Sequence, residues 1–424
     1  MSATINVPSC PCRLPGRYFV LKMTTMQKPG KILVASQYYV PDPSTTAVYM
    51  AAIAEGLAVD NQVVVLSGSP NSMANPGADQ KTPTVIEIQN WTPQKDALIR
   101  RAIAISLLAL RMFLATLMRA RRNDIVFCVT TPFTLPYAAI FAAKLRGAAT
   151  ALLIYDLYPE ALERAELIKP RSLTARLIRF ANSVLFRSLD AIITIGRDVE
   201  PLLLAYKGVT PKKINFIPNW TLLPPGYREL TPDNRFRAGR HSQLIVGLSG
   251  NLGFTHSPCT VFEAARLLKQ DKDIHLILSG WGIGWKLLCD LQSADKLDNI
   301  TLLEPVPQAA LVEFLSSVDV WIIPYRRNIA GVSVPSRLYN LLAVGRAIIV
   351  AAESCSEAAM VIREENIGWV VPPEDPRQLA DAIRLAASDR EATIRKGHRA
   401  AEAARKYSPD AAMARYREVL LKLR

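Results

Sequence analysis

The feature that most constrains this chain is a pattern that runs, stops and runs again. Short apolar stretches of strand type alternate with helical stretches from residue 31 to about 220. They give way to turn-rich polar sequence at 221–240 and then resume. The first series of strands reads at 31–36, 62–66, 124–129, 150–154 and 191–195. The second reads at 244–248, 275–278, 299–303, 318–323 and 347–351. Strands alternating with helices predict a parallel sheet wound on both faces. The interruption, Thr-Leu-Leu-Pro-Pro-Gly-Tyr-Arg-Glu-Leu-Thr-Pro-Asp-Asn, carries the Pro, Gly and Asp/Asn punctuation of a linker. At 424 residues the chain exceeds one ordinary core. The expected fold is therefore α/β, with two doubly wound, Rossmann-like domains facing a cleft, at 29–222 and 241–406, and a final helix at 409–423. Ligands of such sheets bind beyond the carboxyl ends of the strands, so both domains offer their binding edges to one cleft.

Three loops of the second series read as one anion site. The turn Gly250-Asn251-Leu252-Gly253 follows a strand and precedes a helix that starts at Ser257 and Pro258, so backbone amides there can approach a diphosphate. Gly280-Trp281-Gly282-Ile283-Gly284 follows the next strand, with Lys286 just beyond it. The third loop, Gly331-Val332-Ser333-Val334-Pro335-Ser336-Arg337, opens a short helix that Gly345 stops. Its unpaired N–H groups and the Arg337 guanidinium suit a phosphate. Singly these are common glycine turns; together they point to a nucleotide diphosphate. The chain has no Gly-x-x-x-x-Gly-Lys-Ser/Thr and no Gly-x-Gly-x-x-Gly followed by an acid, which disfavours NTP hydrolysis and NAD binding. In the first series, Tyr155-Asp156-Leu157-Tyr158-Pro159-Glu160 follows a strand end and places Asp156 and Glu160 at the cleft. Two acids there can orient a hydroxyl or accept its proton; helix capping accounts for the spacing equally well.

The charge is uneven. The net +14 divides into +11 over residues 1–225 and +3 over the rest, so the first domain wants an anionic surface. Residues 97–122 are strongly apolar and rimmed by Arg100, Arg101, Arg119, Arg121 and Arg122, with Arg111 in the middle. The uncharged runs are too short for a span of roughly 20 residues. An interfacial helix on an anionic membrane surface is expected instead, with a second basic stretch at 169–187 carrying Arg171, Arg176, Arg179 and Arg187. No aromatic–basic interleaving marks nucleic acid as a partner. Six scattered cysteines and four histidines show no metal-ligand or disulfide spacing, and a reduced cytoplasmic setting is expected. Residues 1–28 lack the apolar core and cleavage site of a signal peptide and read as a disordered leader, or as an over-long start ahead of Met23 or Met26.

In the order and spacing of its motifs the chain resembles the glycosyltransferases of family 4, which have the GT-B fold, and most of all the bacterial colanic-acid and O-antigen type. The motifs are Gln37-Tyr38-Tyr39 through Pro43, the stretch from Tyr155 to Glu160, Ile217-Pro218-Asn219-Trp220, the turn at 250–253, Ser333 to Arg337, and Gly368-Trp369-Val370-Val371-Pro372-Pro373. The resemblance implies a nucleotide-sugar donor, UDP-linked in preference to GDP-linked, on the second domain. It implies a lipid-linked or oligosaccharide acceptor on the first, retention of configuration, and no metal or other cofactor. It also implies that residues 407–424 cross back to the first domain, and that the protein works at the inner face of the plasma membrane. Donor contacts then fall to Gly250, Asn251, Gly253, Gly280, Gly282, Gly331, Val332, Ser333, Pro335, Ser336 and Asn340. Arg337 and Lys286 serve the diphosphate. Asp156 and Glu160 face the acceptor, beside Tyr38, Pro41 and Thr45. Many family members carry glutamates where this chain has Val332 and Asn340, and an Arg and a Lys where it has Asn251 and Thr255-His256-Ser257. Two other readings share the layout: a sugar-nucleotide epimerase, and a catalytically degenerate partner that binds nucleotide-sugar or membrane.

Overall fold

The computed structural model describes residues 30–424 apart from 70–80, 92–97, 232, 238 and 241; the leader at 1–28 and residue 97 of the basic apolar stretch lie outside it. The first unit comprises β1 (Ile32–Ser36), α1 (Thr45–Ala58), β2 (Val63–Ser67), β3 (Thr84–Glu87), α2 (Leu98–Arg119), β4 (Ile125–Val129), α3 (Leu135–Leu145), β5 (Ala149–Ile154), α4 (Glu160–Arg164), α5 (Leu173–Ser188), β6 (Ala191–Thr194), α6 (Glu200–Leu204) and β7 (Ile214–Phe216). Its seven strands are ordered β3-β2-β1-β4-β5-β6-β7 and every pair is parallel. The second unit comprises β8 (Leu244–Asn251), α7 (Pro258–Leu267), β9 (Ile274–Trp281), α8 (Ile283–Asp295), β10 (Ile300–Leu303), α9 (Leu311–Ser316), β11 (Val320–Pro324), α10 (Arg337–Ala343), β12 (Ala347–Ala351), α11 (Glu357–Glu364), β13 (Gly368–Val371), α12 (Pro376–Ser388), α13 (Arg390–Ala404) and α14 (Pro409–Leu421). Its six strands are ordered β10-β9-β8-β11-β12-β13, again parallel throughout.

Every residue of β1, β2, β4, β11 and β12 is buried. That is the state of a strand covered by helices on both faces, and it explains why these strands read as unbroken apolar runs. Three strands escape the sequence pattern. β3, β7 and β13 lie at the sheet edges and are only partly buried; β3 and β7 carry no continuous apolar run, and β13 is only the four residues Gly-Trp-Val-Val. β8 also runs further than expected. It continues through Gly250 to Asn251, paired with Gly280 and Trp281 of β9, where the sequence suggests a turn beginning at Gly250. The close approach is possible because a Cβ on Gly280 would stand 2.5 Å from the Gly250 carbonyl oxygen.

In each sheet the chain winds outward, then returns to the far side of its first strand. The two switch points are therefore β1/β4 and β8/β11, and their carboxyl ends are where such sheets bind ligands. The last helix leaves the second unit and packs on the first. Ala412, Met413, Tyr416 and Leu420 of α14 are buried in the core formed by β1, β2, β4 and α1. The Tyr416 ring meets Phe127 at 6.0 Å and Trp220 at 6.4 Å, both edge-on, and the Arg417 guanidinium donates to the Gly56 carbonyl at 2.6 Å.

Helix α2 is long and apolar enough to cross a membrane by length and composition alone. Its inner face, however, is part of the domain: Leu108, Met112 and Ala115 are buried in the core beneath α3, and Ala104 is buried as well. Its outer face is bare. Ile103, Leu107, Leu110, Leu114 and Met118 recur at helical spacing and are exposed. Leu173, Leu177, Phe180 and Val184 repeat the pattern on α5, and both helices contact α3 between them. Neither helix contains an acidic residue.

Candidate functional site

The strongest convergence lies at the β8/β11 switch point. Arg337, the first residue of α10, reaches under the end of β8. Its guanidinium donates to the Ser249 carbonyl at 2.6 Å and to the Asn251 carbonyl. Gly250, between them, has φ +100° and leaves the room: a Cβ there would stand 3.5 Å from the guanidinium carbon. No carboxylate pairs with Arg337 among the described residues. Burial alone pulls its pKa down to about 10, so it remains charged near neutrality but lacks a counter-ion. A half-buried cation without a counter-ion suits an anion.

His256 lies beside it, stacked on Tyr325 with 5.3 Å between ring centroids. Its Nδ1 is 3.1 Å from the Thr255 hydroxyl, while Nε2 is buried without a partner. Burial and the nearby Arg337 charge hold its pKa well below the usual histidine value, so it is neutral. Gly282, at φ +97°, lets the chain turn so that Asn251 and Leu252 pack against it; a Cβ there would meet the Asn251 Oδ1 at 2.3 Å. Gly253 is open by comparison. Lys286 is an exposed residue of α8 whose ammonium makes no bond among the described residues, and it does not join the Arg337 cluster.

The loop before α10 bridges the two domains. Val332 is buried, and its carbonyl accepts from the Leu157 amide at 3.3 Å. Ser333 pairs with Asp156 in an antiparallel bridge and also hydrogen-bonds its carboxylate. Burial raises the Asp156 pKa, and the Ser333 hydroxyl opposes part of that shift. Pro335 is buried and Ser336 half-buried, and the Ser336 side chain does not cap α10. Asn340 turns elsewhere: its Oδ1 accepts the amide of Leu222 in the linker at 2.9 Å. The structure thus gives Asn340 an interdomain partner rather than a free polar group facing the Arg337 cluster.

On the acceptor side the structure gathers Tyr38 and Asp156 around Tyr158, whose phenol is raised by burial and by the charges of Asp156 and Tyr38. Pro41 and Thr45 lie exposed on the loop and helix start that follow β1. Glu160 does not join them. Its carboxylate is held by Arg179 at 3.2 Å and by the Tyr206 hydroxyl at 3.2 Å, with Glu163 completing the Arg179 fork at 2.7 Å and 2.9 Å. An engaged carboxylate of this kind braces α4 on α5. Three residues that sequence reasoning did not single out belong to the cleft: His256, Tyr325 and Asp198. Asp198 follows a strand end, as Asp156 does; a neutral histidine beside a strand end carries no such signal. Among the described residues no group of three or more His, Cys, Asp or Glu could hold a metal ion.

Comparison with known proteins accounts for most of the chain. Residues 44–220 match the glycosyl transferase 4-like domain and residues 231–407 match the glycosyl transferases group 1. A probable glycosyltransferase of Pseudomonas aeruginosa, WbjE, is 27% identical over 368 residues, covering 84% of this chain and 88% of that protein. A putative colanic acid biosynthesis glycosyl transferase of Escherichia coli, WcaI, is 26% identical over 379 residues, covering 84% and 92%. Among solved structures, sucrose-phosphate synthase from Thermosynechococcus elongatus superposes with a TM-score of 0.72 at 14% identity, covering 93% of this chain and 99% of that one. HepE from Anabaena, solved with UDP-glucose, gives 0.67 at 14% identity, covering 92% and 99%. These structures share the fold. With both domains matched in sequence, the chain belongs to the glycosyltransferases of family 4 and carries their GT-B fold.

Proposed function

We propose that this glycosyltransferase transfers a sugar, with retention, from a UDP-sugar to a lipid-linked or oligosaccharide acceptor in the synthesis of a surface polysaccharide or glycolipid. The observation that carries the donor reading is Arg337, a half-buried guanidinium with carbonyl partners and no carboxylate counter-ion among the described residues, at the switch point where a diphosphate would lie. As the sugar–phosphate bond breaks, charge grows on the leaving phosphate, and a fixed cation there stabilises it more than it stabilises the intact donor. The neutral His256 adds a ring nitrogen free to donate or accept without adding charge. The acceptor hydroxyl enters from the first domain beside Asp156, and its proton passes to the departing phosphate oxygen. No metal is assigned to the reaction. The complexes of HepE with UDP and UDP-glucose, and the similarity to WcaI, a putative colanic acid biosynthesis glycosyl transferase, support this choice of donor and product class.

The acceptor reading places the protein at the inner face of the plasma membrane, held peripherally. Its support is the outer face of α2 and α5, two apolar stripes with Arg100, Arg101, Arg121, Arg122, Arg171, Arg176 and Arg187 exposed at or near their ends. Apolar side chains enter the acyl boundary while arginines meet anionic headgroups.

The donor reading is tested by calorimetric titration with UDP. Arg337→Ala removes a charge-assisted contact worth about 3 kcal/mol, so UDP affinity falls about 100-fold. Unchanged UDP affinity in that variant would remove the assignment.

A further inference from the structure

A residue of the first domain holds two backbone amides of the second. Asp198 follows β6, yet its Oδ2 accepts the backbone amides of Gly331 and Glu357, both at 2.9 Å. Gly331 begins the loop that ends in Arg337, and Glu357 begins α11. The contact is close-fitting: Gly331 has φ +74°, and a Cβ there would stand 2.6 Å from the Asp198 carbonyl oxygen. The preceding residue reinforces it. Arg197 donates through Nε to Glu357 at 2.9 Å and through a terminal nitrogen at 3.0 Å, with its own amide adding a third bond at 2.8 Å. The Glu357 side chain is 1% exposed, so the clasp is dry at its centre. Two further points tie the same loop region to the first domain, the Asp156–Ser333 bridge and the Arg326–Glu166 ion pair at 3.0 Å. Asp198 differs from these in gripping a loop amide and a helix amide with one oxygen. Its other oxygen is buried without a partner, so the carboxylate is committed to this single engagement.

We propose that Asp198 is a positioning residue for glycosyl transfer: reaching across the cleft, it fixes the Gly331 amide, and with it the loop that delivers Arg337, when the two domains close. A hydrogen bond from an amide to a buried carboxylate is strong and directional, and a loop displaced by about 1 Å costs turnover far more than it costs binding of the nucleotide by the second domain alone.

The test compares Asp198→Ala and Asp198→Asn with the wild type in two arms. In the first, nucleotide release from UDP-sugars is followed with membrane lipid extract as acceptor, alongside UDP titration. Asp198→Ala is expected to lower kcat at least about tenfold while the UDP Kd moves less than about threefold, and Asp198→Asn, which keeps one carbonyl acceptor, to recover most of the loss. In the second arm, hydrogen exchange is measured without any donor. Amides of residues 328–336 are expected to exchange at least about tenfold faster in Asp198→Ala, with both sheets unchanged. Unchanged kcat, or exchange that rises across both domains together, overturns the proposal. The first arm rests on the donor reading above. If the wild type releases nucleotide from no UDP-sugar, that reading fails by itself, and the exchange arm decides the role of Asp198. If Asp198→Ala does not fold, Asp198→Ser, whose shorter side chain does not reach both amides, is judged in its place: slowed turnover with faster loop exchange supports the role, and wild-type values in both overturn it.

Discussion

Replacing Leu110 and Phe180 together by serine tests the membrane surface without touching the fold. Leu110 is 55% exposed and Phe180 70% exposed, so neither supports the core on that outer face. Full burial of a leucine or phenylalanine side chain is worth about 2 to 3 kcal/mol. Scaled by the exposed fractions, insertion of Leu110 contributes about 1 kcal/mol and that of Phe180 about 2 kcal/mol. Losing both weakens partition onto vesicles about 100-fold, at about 1.4 kcal/mol per tenfold. The assay is flotation with vesicles of phosphatidylcholine containing phosphatidylglycerol, read as the bound fraction against lipid concentration. The arginines add a second signature: binding weakens as salt rises, and pure phosphatidylcholine binds less well. The unfolding midpoint in denaturant stays at the wild-type value. A double variant that partitions within about threefold of wild type would refute the account of α2 and α5 as a bilayer-facing surface.

Other outcomes follow from the same structure. Tyr416→Ala opens a cavity against Phe127 and Trp220 and should cost about 3 to 5 kcal/mol, measured by denaturant unfolding. Gly280→Ala places a methyl 2.5 Å from the Gly250 carbonyl oxygen; the forced separation of β8 from β9 should weaken UDP binding at least about tenfold by calorimetry. His275, 4% exposed and held by burial at a pKa of about 4 against 6.5 unfolded, contributes stability that is full above pH 6.5 and lost as the pH falls toward 4. The loss is about 3 kcal/mol in total. The raised carboxyls Asp156 and Asp198 act in the opposite sense, losing stability as pH rises above the usual aspartate value. Comparing wild type with His275→Gln at pH 7 and pH 4.5 cancels their share, and the variant should show the shallower pH dependence.

The two-domain plan was legible because it rests on burial. β1, β4, β11 and β12 are buried throughout, so their sequences read as nearly unbroken apolar runs. The edge strands β3 and β7 were not, since partial exposure dilutes the pattern, and β13, four residues with a leading glycine, is too short to stand out. Within the site, Arg337 and the glycines at 250, 280 and 282 were legible because a strand–glycine–helix sequence has few uses other than close approach of a backbone or a ligand. What sequence cannot supply is which partner a polar side chain meets across a domain boundary. Glu160 looked equivalent to Asp156, yet Arg179 of α5 and Tyr206, just past α6, engage it. Asn340 looked free for a ribose, yet the linker amide of Leu222 takes its oxygen. Asp198 went unnoticed because its partners, Gly331 and Glu357, lie more than a hundred residues away and act through their backbones.

The central claim is tested most directly by incubating the purified protein with a panel of UDP-, GDP- and dTDP-sugars, with and without membrane lipid extract, and recording released nucleotide. The account predicts release from a UDP-sugar that rises when lipid is present and falls in the Arg337→Ala variant. Release from GDP- or dTDP-sugars alone, or release that ignores both lipid and Arg337, would contradict it.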